Sequence, residues 1–404
     1  SNKWDTATAA EGEGFLSVTG EEGKWQDITQ LVETGSLCIK AFTTIEDKTG
    51  PTITFETNGS TTYKTEQGSK VMVTDPSGVN ESTLRYVWTQ SRTQPSITDF
   101  ETWFENSSVV TKDTETGNNW YLWVIAKDNL GNTSYKRSEA FYLDNTPPTA
   151  PTITSNAAND RWTSQTASVT ASGSTNLSGI KRYEYSLNDG KDWTPITNRI
   201  NLTTDGIYRI KTRAIGNTDI EGEESEEYII KIDKTPPIVT GITEGGLYNY
   251  IKPTIQDITT ITAKLNKDGV ETNYNIDDEG RGQEITQTGN YTLTVTDEVG
   301  NKTVVHFTID AEPPVVTFTP NGNPTYKNSL STAVHITDAH NIDQSSLKYI
   351  WAQNVTTVTE NLFNQGAQNF TNGQTITKND GNGQYALLIM AKDVLGNIAL
   401  VKSE

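Results

Sequence analysis

Gly289-Asn290-Tyr291-Thr292-Leu293-Thr294-Val295-Thr296-Asp297-Glu298-Val299-Gly300-Asn301 is the stretch whose pattern decides the fold. Tyr291, Leu293 and Val295 alternate with threonines, the period-two signature of a strand with one buried face. Asp297 then opens a turn in which Gly300 takes the left-handed position, as in a tight hairpin with a bulge. The run Val304-Val305-His306-Phe307-Thr308-Ile309 supplies the returning strand, and the chain reaches Asp310 and Pro313-Pro314. The segment reads as the last hairpin of a β-sandwich followed by a stop.

Working outward, the same turn recurs at Ala126-Lys127-Asp128-Asn129-Leu130-Gly131-Asn132 and Ala391-Lys392-Asp393-Val394-Leu395-Gly396-Asn397. A worn copy stands at Ala214-Ile215-Gly216-Asn217, where the Asp is lost and the hairpin is correspondingly less well specified. Upstream lies Gly-x-Tyr, as Gly206-Ile207-Tyr208, Gly289-Asn290-Tyr291 and Gly383-Gln384-Tyr385, with Trp120 and Tyr121 in the matching stretch of the first copy. A tyrosine there, its hydroxyl turned back to the backbone, is the tyrosine-corner device of immunoglobulin-like sandwiches.

A linker follows each hairpin or precedes the next: Asp47-Lys48-Thr49-Gly50-Pro51, Asp144-Asn145-Thr146-Pro147-Pro148, Asp233-Lys234-Thr235-Pro236-Pro237 and Asp310-Ala311-Glu312-Pro313-Pro314. Proline holds φ near −65° and donates no amide, so the chain must leave one sheet before entering another, through a short, semi-rigid joint. The intervals between linkers are roughly 75 to 100 residues, one sandwich each. The expected organisation is a partial or shrunken β module at 1–46 and immunoglobulin-like domains at 47–145, 146–234, 235–311 and 312–404. From Pro51 to Trp88 the first domain aligns without a gap to Pro314 to Trp351 of the fourth, which points to duplication and places both tryptophans between sheets.

With 404 residues, 33% hydrophobic, and a net charge of −19, the chain excludes a nucleic-acid-binding surface, which needs clustered Lys and Arg. The lone Cys38, inside Leu37-Cys38-Ile39, is expected to be a buried thiol. No apolar run reaches the length of a membrane span. Ser1-Asn2 reads as a cloning remnant on a segment of a longer protein.

These linkers and Asp-x-x-Gly-Asn turns resemble the tandem bacterial immunoglobulin-like (Big-type) domains of bacterial cell-surface proteins and adhesins, over residues 47 to 404. The resemblance implies an all-β chain of tandem immunoglobulin-like β-sandwich domains arranged as an elongated rod, on the cell surface or secreted. It brings no catalytic residues, and none is assigned, nor any cofactor-binding or metal residue. The expected function is a non-enzymatic, monomeric stalk or adhesin segment that spaces and presents a binding region. The alternatives are a module that binds a glycan or host protein through aromatic loops, and accessory domains of a larger secreted enzyme.

His306 falls on a strand as a satisfied side chain, while His335 and His340, flanked by Asp338 and Asp343, read as a solvated loop. Calcium at the joints is the stronger candidate cofactor, with Asp144, Asp233 and Asp310 as ligands; their alternative role is to terminate strands. The loops holding Phe100-Glu101-Thr102-Trp103-Phe104 and Leu362-Phe363 are expected to form a short helix each and to plug an open sandwich end. Lys64 and Lys327 are the matched lysines available to an isopeptide bond.

Overall fold

The computed structural model describes Phe15–Leu16, Gln26–Asp27 and residues 47 to 404, in two compact units, Ser1–Asp144 and Asn145–Glu404. Strands β1 (Phe15–Leu16) and β2 (Gln26–Asp27) pair antiparallel. The remainder of the 1–46 module, including Cys38, lies outside the described residues.

In the first unit, β3 (Thr52–Phe55), β5 (Gln67–Thr74) and β8 (Val109–Lys112) form one sheet in the order β3-β5-β8. The second sheet runs β4-β11-β9-β6-β7. Its members are β4 (Ser60–Lys64), β6 (Arg85–Thr89), β7 (Thr102–Trp103), β9 (Gly117–Lys127) and β11 (Phe141–Leu143), and β10 (Thr133–Arg137) also pairs with β9. All pairings are antiparallel except β4 with β11, which is parallel. This is the strand order of an immunoglobulin-like sandwich. Alternation sets the register: Val71 and Val73 of β5 face Leu122, Val124 and Ala126 of β9, and all five are buried.

Strand β9 is buried on its other face too. Tyr121, Trp123 and Ile125 pack under Phe100, which the connection between β6 and β8 lays across the outside of the sheet. The fourth sandwich repeats the arrangement, with Leu388 and Met390 under Phe363. The plug reading is therefore corrected: these loops cover a sheet face, not a sandwich end. The unbroken apolar runs Tyr121-Leu122-Trp123-Val124-Ile125-Ala126 and Leu387-Leu388-Ile389-Met390-Ala391 require it, because each exposes apolar side chains on both sides of the strand. The helical turns are single 3-10 turns at Ile97–Asp99 and Glu360–Phe363.

The second unit holds three more sandwiches. The first pairs Thr152–Ser155, Ala167–Ser172 and Ile200–Leu202 against a sheet centred on Gly206–Gly216 and Tyr228–Ile232. The next centres on Gly289–Thr296, flanked by Thr262–Lys267 and Lys302–Ile309, and the last on Ile342–Ala352 and Ala386–Asp393. Among the described residues, no sheet contains strands from both sides of a proline joint. The hairpin that opened the sequence reading forms as expected: Leu293 and Val295 are fully buried, each contributing about 1.5–3 kcal/mol of burial, while Thr292 and Thr294 lie on the other face. Tyr291 and Tyr208 donate their hydroxyls to the carbonyls of Gln287 and Thr204 at 2.7 and 3.0 Å, two tyrosine corners.

Candidate metal centres at the domain joints

Each closing turn is organised by its aspartate. Asp297 Oδ1 accepts the amides of Val299 and Asn301, at 3.0 and 2.7 Å, and its Oδ2 accepts from Asn301 Nδ2 at 2.6 Å. Asp128 and Asp393 hold the same three bonds with Leu130 and Asn132, and with Leu395 and Asn397. Gly131, Gly300 and Gly396 stand at φ of +94°, +94° and +90°, and an added Cβ would meet nothing within 4 Å at any of them. Backbone conformation alone demands glycine there.

The turn's asparagine also reaches the joint. Asn132 Nδ2 donates to the Asp47 carbonyl at 2.9 Å, Asn301 Nδ2 to that of Asp233 at 3.2 Å, and Asn397 Nδ2 to that of Asp310 at 2.8 Å. In the first and third sandwiches the joint carboxylate lies with the turn's own aspartate and a third acid from a loop, whereas in the fourth it lies with a loop acid and a histidine. Three groups result: Asp47, Asp75 and Asp128; Asp233, Asp257 and Asp297; and Asp310, Asp338 and His340. Within each, one ligand atom per residue lies within 4.8 Å of the others.

A side chain two residues after the loop acid stitches the first two carboxylates together. Thr259 Oγ1 donates to Asp257 at 2.8 Å and to Asp233 at 3.1 Å. His340 takes the equivalent place in the fourth sandwich, its Nδ1 lying 2.5 Å from Asp310 Oδ2 and its amide donating to Asp338. His340 and Asp338 lie on a loop, as expected, but half-buried against the joint rather than freely solvated; His335 is exposed on a strand, and Asp343 accepts the amide of Ser345.

Electrostatics differ among the joints. Burial pushes the Asp233 carboxyl above its ordinary value, and the charges of Asp257 and Asp297 push the same way. Asp47 is held below the usual range by the hydroxyl and amide of Thr49. Burial would raise Asp128, but the side chain and amide of Asn132, with further amides of the turn, outweigh it and hold it low. In the first two groups three carboxylates with a neighbouring backbone carbonyl are the oxygen donor set of a hard cation such as calcium, whereas the third offers two carboxylates and an imidazole nitrogen. Asp233 and Asp257 also border a cleft of about 850 Å³ that carries Asp205, Asp277 and Asp278.

Of the three joint aspartates expected as ligands, Asp233 and Asp310 enter these groups. Asp144 is fully buried but belongs to none of the three, and the repeat after it carries Asn176 and Gly216 where its neighbours have loop and turn acids. Asp47, Asp75, Asp257 and the turn acids were not anticipated; the signal was available, because Asp75, Asp257 and Asp338 sit at one place in the repeat. His306 is exposed beside Glu244 at 2.9 Å. Lys64 and Lys327 are both exposed, which leaves them solvated amines unsuited to the desolvated chemistry of an amide cross-link. In the aromatic loop Phe100 and Phe104 are buried, whereas Trp103 is 53% exposed with its indole N–H donated to the Glu81 carbonyl at 3.2 Å. Among the described residues no helix is long and apolar enough to cross a membrane.

No family model matches the chain. An outer cell wall protein of Brevibacillus brevis is 33% identical to it over 132 residues, which make up 32% of this chain. The chain spans only 12% of that protein's length. Among solved structures, the tetra-tandem repeat in the extending region of a large adhesion protein is 13% identical, with a TM-score of 0.26, covering 88% of this chain and 98% of the other. A Ca2+-stabilised adhesin with which an Antarctic bacterium reaches out and binds ice has the same identity and coverage, with a TM-score of 0.29. Fibronectin(III)-like modules of Clostridium thermocellum CbhA are 14% identical over 40% of this chain and 94% of theirs, with a TM-score of 0.20. By its own strand order, the chain is a tandem array of immunoglobulin-like β-sandwiches.

Proposed function

We propose that the chain is a non-enzymatic stalk or adhesin segment of a bacterial cell-surface or secreted protein, made of bacterial immunoglobulin-like repeats whose joints take calcium. The observation that carries this reading is the thrice-repeated tie from a turn asparagine to the carbonyl of a joint aspartate. A binding module needs one rigid site, whereas a spacer needs every joint to be stiff, and the same device is spent at joint after joint. The likeness to an outer cell wall protein supports the surface location.

Calcium fits the same purpose. Carboxylates gathered this closely repel one another when ionised, and a divalent cation turns that repulsion into attraction between sandwich and joint. The decisive experiment is small-angle scattering with melting, in calcium and in chelator. A stalk gives a particle several times longer than wide, with a higher melting midpoint in calcium. A compact particle overturns the stalk, and identical melting in both conditions overturns the cation.

One observation favours a second reading, a glycan- or host-protein-binding role for the first domain: Trp103 presents an exposed ring on a loop held by two buried phenylalanines. A glycan array probed with the chain and with Trp103→Ala separates it from the stalk. Signal lost in the variant supports binding there, and silence from the unaltered chain removes it.

A further inference from the structure

Two arginines of the first sandwich converge on one ring. Arg92, in the connection after β6, donates its Nε to the Tyr121 hydroxyl at 2.7 Å, and its guanidinium carbon stands 5.7 Å from the centre of that ring. Arg137, at the end of β10, brings its own to 5.0 Å from the same ring and 5.9 Å from that of Trp123. Its Nε donates to the Ser138 carbonyl and its Nη1 to the Arg92 carbonyl, at 3.3 and 3.2 Å. Both side chains are thus pinned, while Nη1 and Nη2 of Arg92 and Nη2 of Arg137 meet no acceptor among the described residues. Neither has a carboxylate oxygen within 4.0 Å among those residues, and the charge of Glu139 reaches Arg92 only at longer range. In the second unit Arg182, Arg209, Arg213 and Arg281 each hold a carboxylate at 2.6 to 2.9 Å.

The fourth sandwich shows how little of this the fold requires. Arg137 pairs across from Trp123, and Lys402 across from Leu388, so the two cations hold one register position. Lys402 Nζ donates to the Val355 carbonyl at 3.4 Å, as Arg137 does to that of Arg92. Val355 stands four residues after Trp351, as Arg92 does after Trp88. The tie is therefore shared by the two domains. Val355, however, packs among the apolar residues around Phe363 and Leu388, and Ala386 stands where the first sandwich has Tyr121. One amine and a valine complete the sheet face there, so the second guanidinium and the hydroxyl that orients it are surplus to the fold.

We infer that Arg92 and Arg137 form a binding site for the carboxylate of an acidic sugar such as a uronic acid. A guanidinium presents paired N–H groups in one plane, which matches the two oxygens of a carboxylate. The net charge of −19 favours a monoanion over a phosphate dianion, whose second charge adds repulsion from the surrounding acids. From Gln90 to Gln94 every residue is exposed, and every side chain other than that of Arg92 is an uncharged hydrogen-bonding group. Such a surface complements sugar hydroxyls rather than the apolar side chains of a peptide. Trp103 lies at the other end of β6, opposite Arg85, so this site is distinct from that ring. It is also independent of the stalk and calcium readings.

The test titrates the full chain with glucuronate, and separately with glucose, inorganic phosphate and an oligoglutamate peptide, following the Nε–Hε signals of Arg92 and Arg137 by NMR. Saturable shifts with glucuronate, absent with glucose and weakened by added salt, are the expected result. Arg92→Val installs the fourth sandwich's residue, so the melting midpoint is kept, while affinity for glucuronate falls at least ~10-fold with the loss of charge-assisted bonds. Arg137→Lys keeps the tie as Lys402 does and keeps the charge, yet loses the fork; it also weakens binding, which separates bidentate recognition from simple attraction. No saturable shift, an equal response to glucose, or unchanged affinity in Arg92→Val overturns the site. Tighter binding of phosphate overturns the carboxylate, and tighter binding of the peptide overturns the sugar in favour of an acidic protein partner.

Discussion

The third repeat closes its last hairpin with Asp297, Gly300 and Asn301, whereas the second closes the same hairpin with Gly216 and Asp219. Backbone geometry is conserved between them. The Gly216 amide donates to the Ile220 carbonyl at 2.9 Å, as the Asp297 amide does to that of Asn301 at 3.1 Å, and Asp219 takes the left-handed position at φ +65°. What changes is the joint. Asn301 ties the turn to Asp233 with a carboxylate at either side, while in the second repeat Asn176 Nδ2 ties its loop to the Thr146 carbonyl at 2.8 Å. The mechanical tie survives without the acids, so hairpin and tie are separable from charge.

The largest way to break this comparison is Asp297→Ala. It strands two amides and a side-chain amide in a buried turn, and should lower unfolding free energy by about 2–4 kcal/mol in denaturant melts. Gly216→Ala, at the equivalent place, should change stability by less than ~0.5 kcal/mol, since its added Cβ meets only ordinary contacts beginning at 3.4 Å. Equal losses would show that the second repeat depends on a device not described above.

Asn301→Ala should cost about 1–2 kcal/mol by removing two side-chain hydrogen bonds, and should speed exchange of the Asn301 amide. Gly300→Ala should cost about 1 kcal/mol, from backbone conformation alone. If it is neutral by calorimetry, the turn has relaxed out of the left-handed region.

The smallest effect is in pH, measured without divalent cations. The raised carboxyl of Asp233 contributes stability that is fully present below its ordinary value of 3.8 and lost as pH rises through its folded value. Asp128, held low, contributes stability that is present above 3.8 and lost as pH falls through its folded value. Carboxyl-carbon NMR titration should therefore place Asp233 above and Asp128 below the ordinary value. The reverse order would undo the electrostatic contrast between the joints.

Much of this was legible in the chain. Alternation of Tyr291, Leu293 and Val295, the Asp-x-x-Gly-Asn turns and the paired prolines are local signals, because strand periodicity, left-handed glycine and proline φ are properties of a few consecutive residues. The joint groups were only half legible. Asp233 and Asp310 stand out beside prolines, but Asp257, Asp297, Asp338 and His340 join them from 24 or more residues further along the chain. The outer-face cover over β9 was likewise misread as an end plug, although the unbroken run from Tyr121 to Ala126 announced a strand with two buried faces.

By itself, then, the sequence determined that sandwiches repeat, where each is interrupted, and which turn closes it, since those depend on backbone preferences and side-chain alternation within single strands. Tertiary structure alone decided which acids meet at a joint, and that Asn176, standing where the other repeats have a loop acid, supplies the tie to its own joint. Those outcomes depend on register between strands far apart in the chain, which is fixed only when two sheets close on a common core.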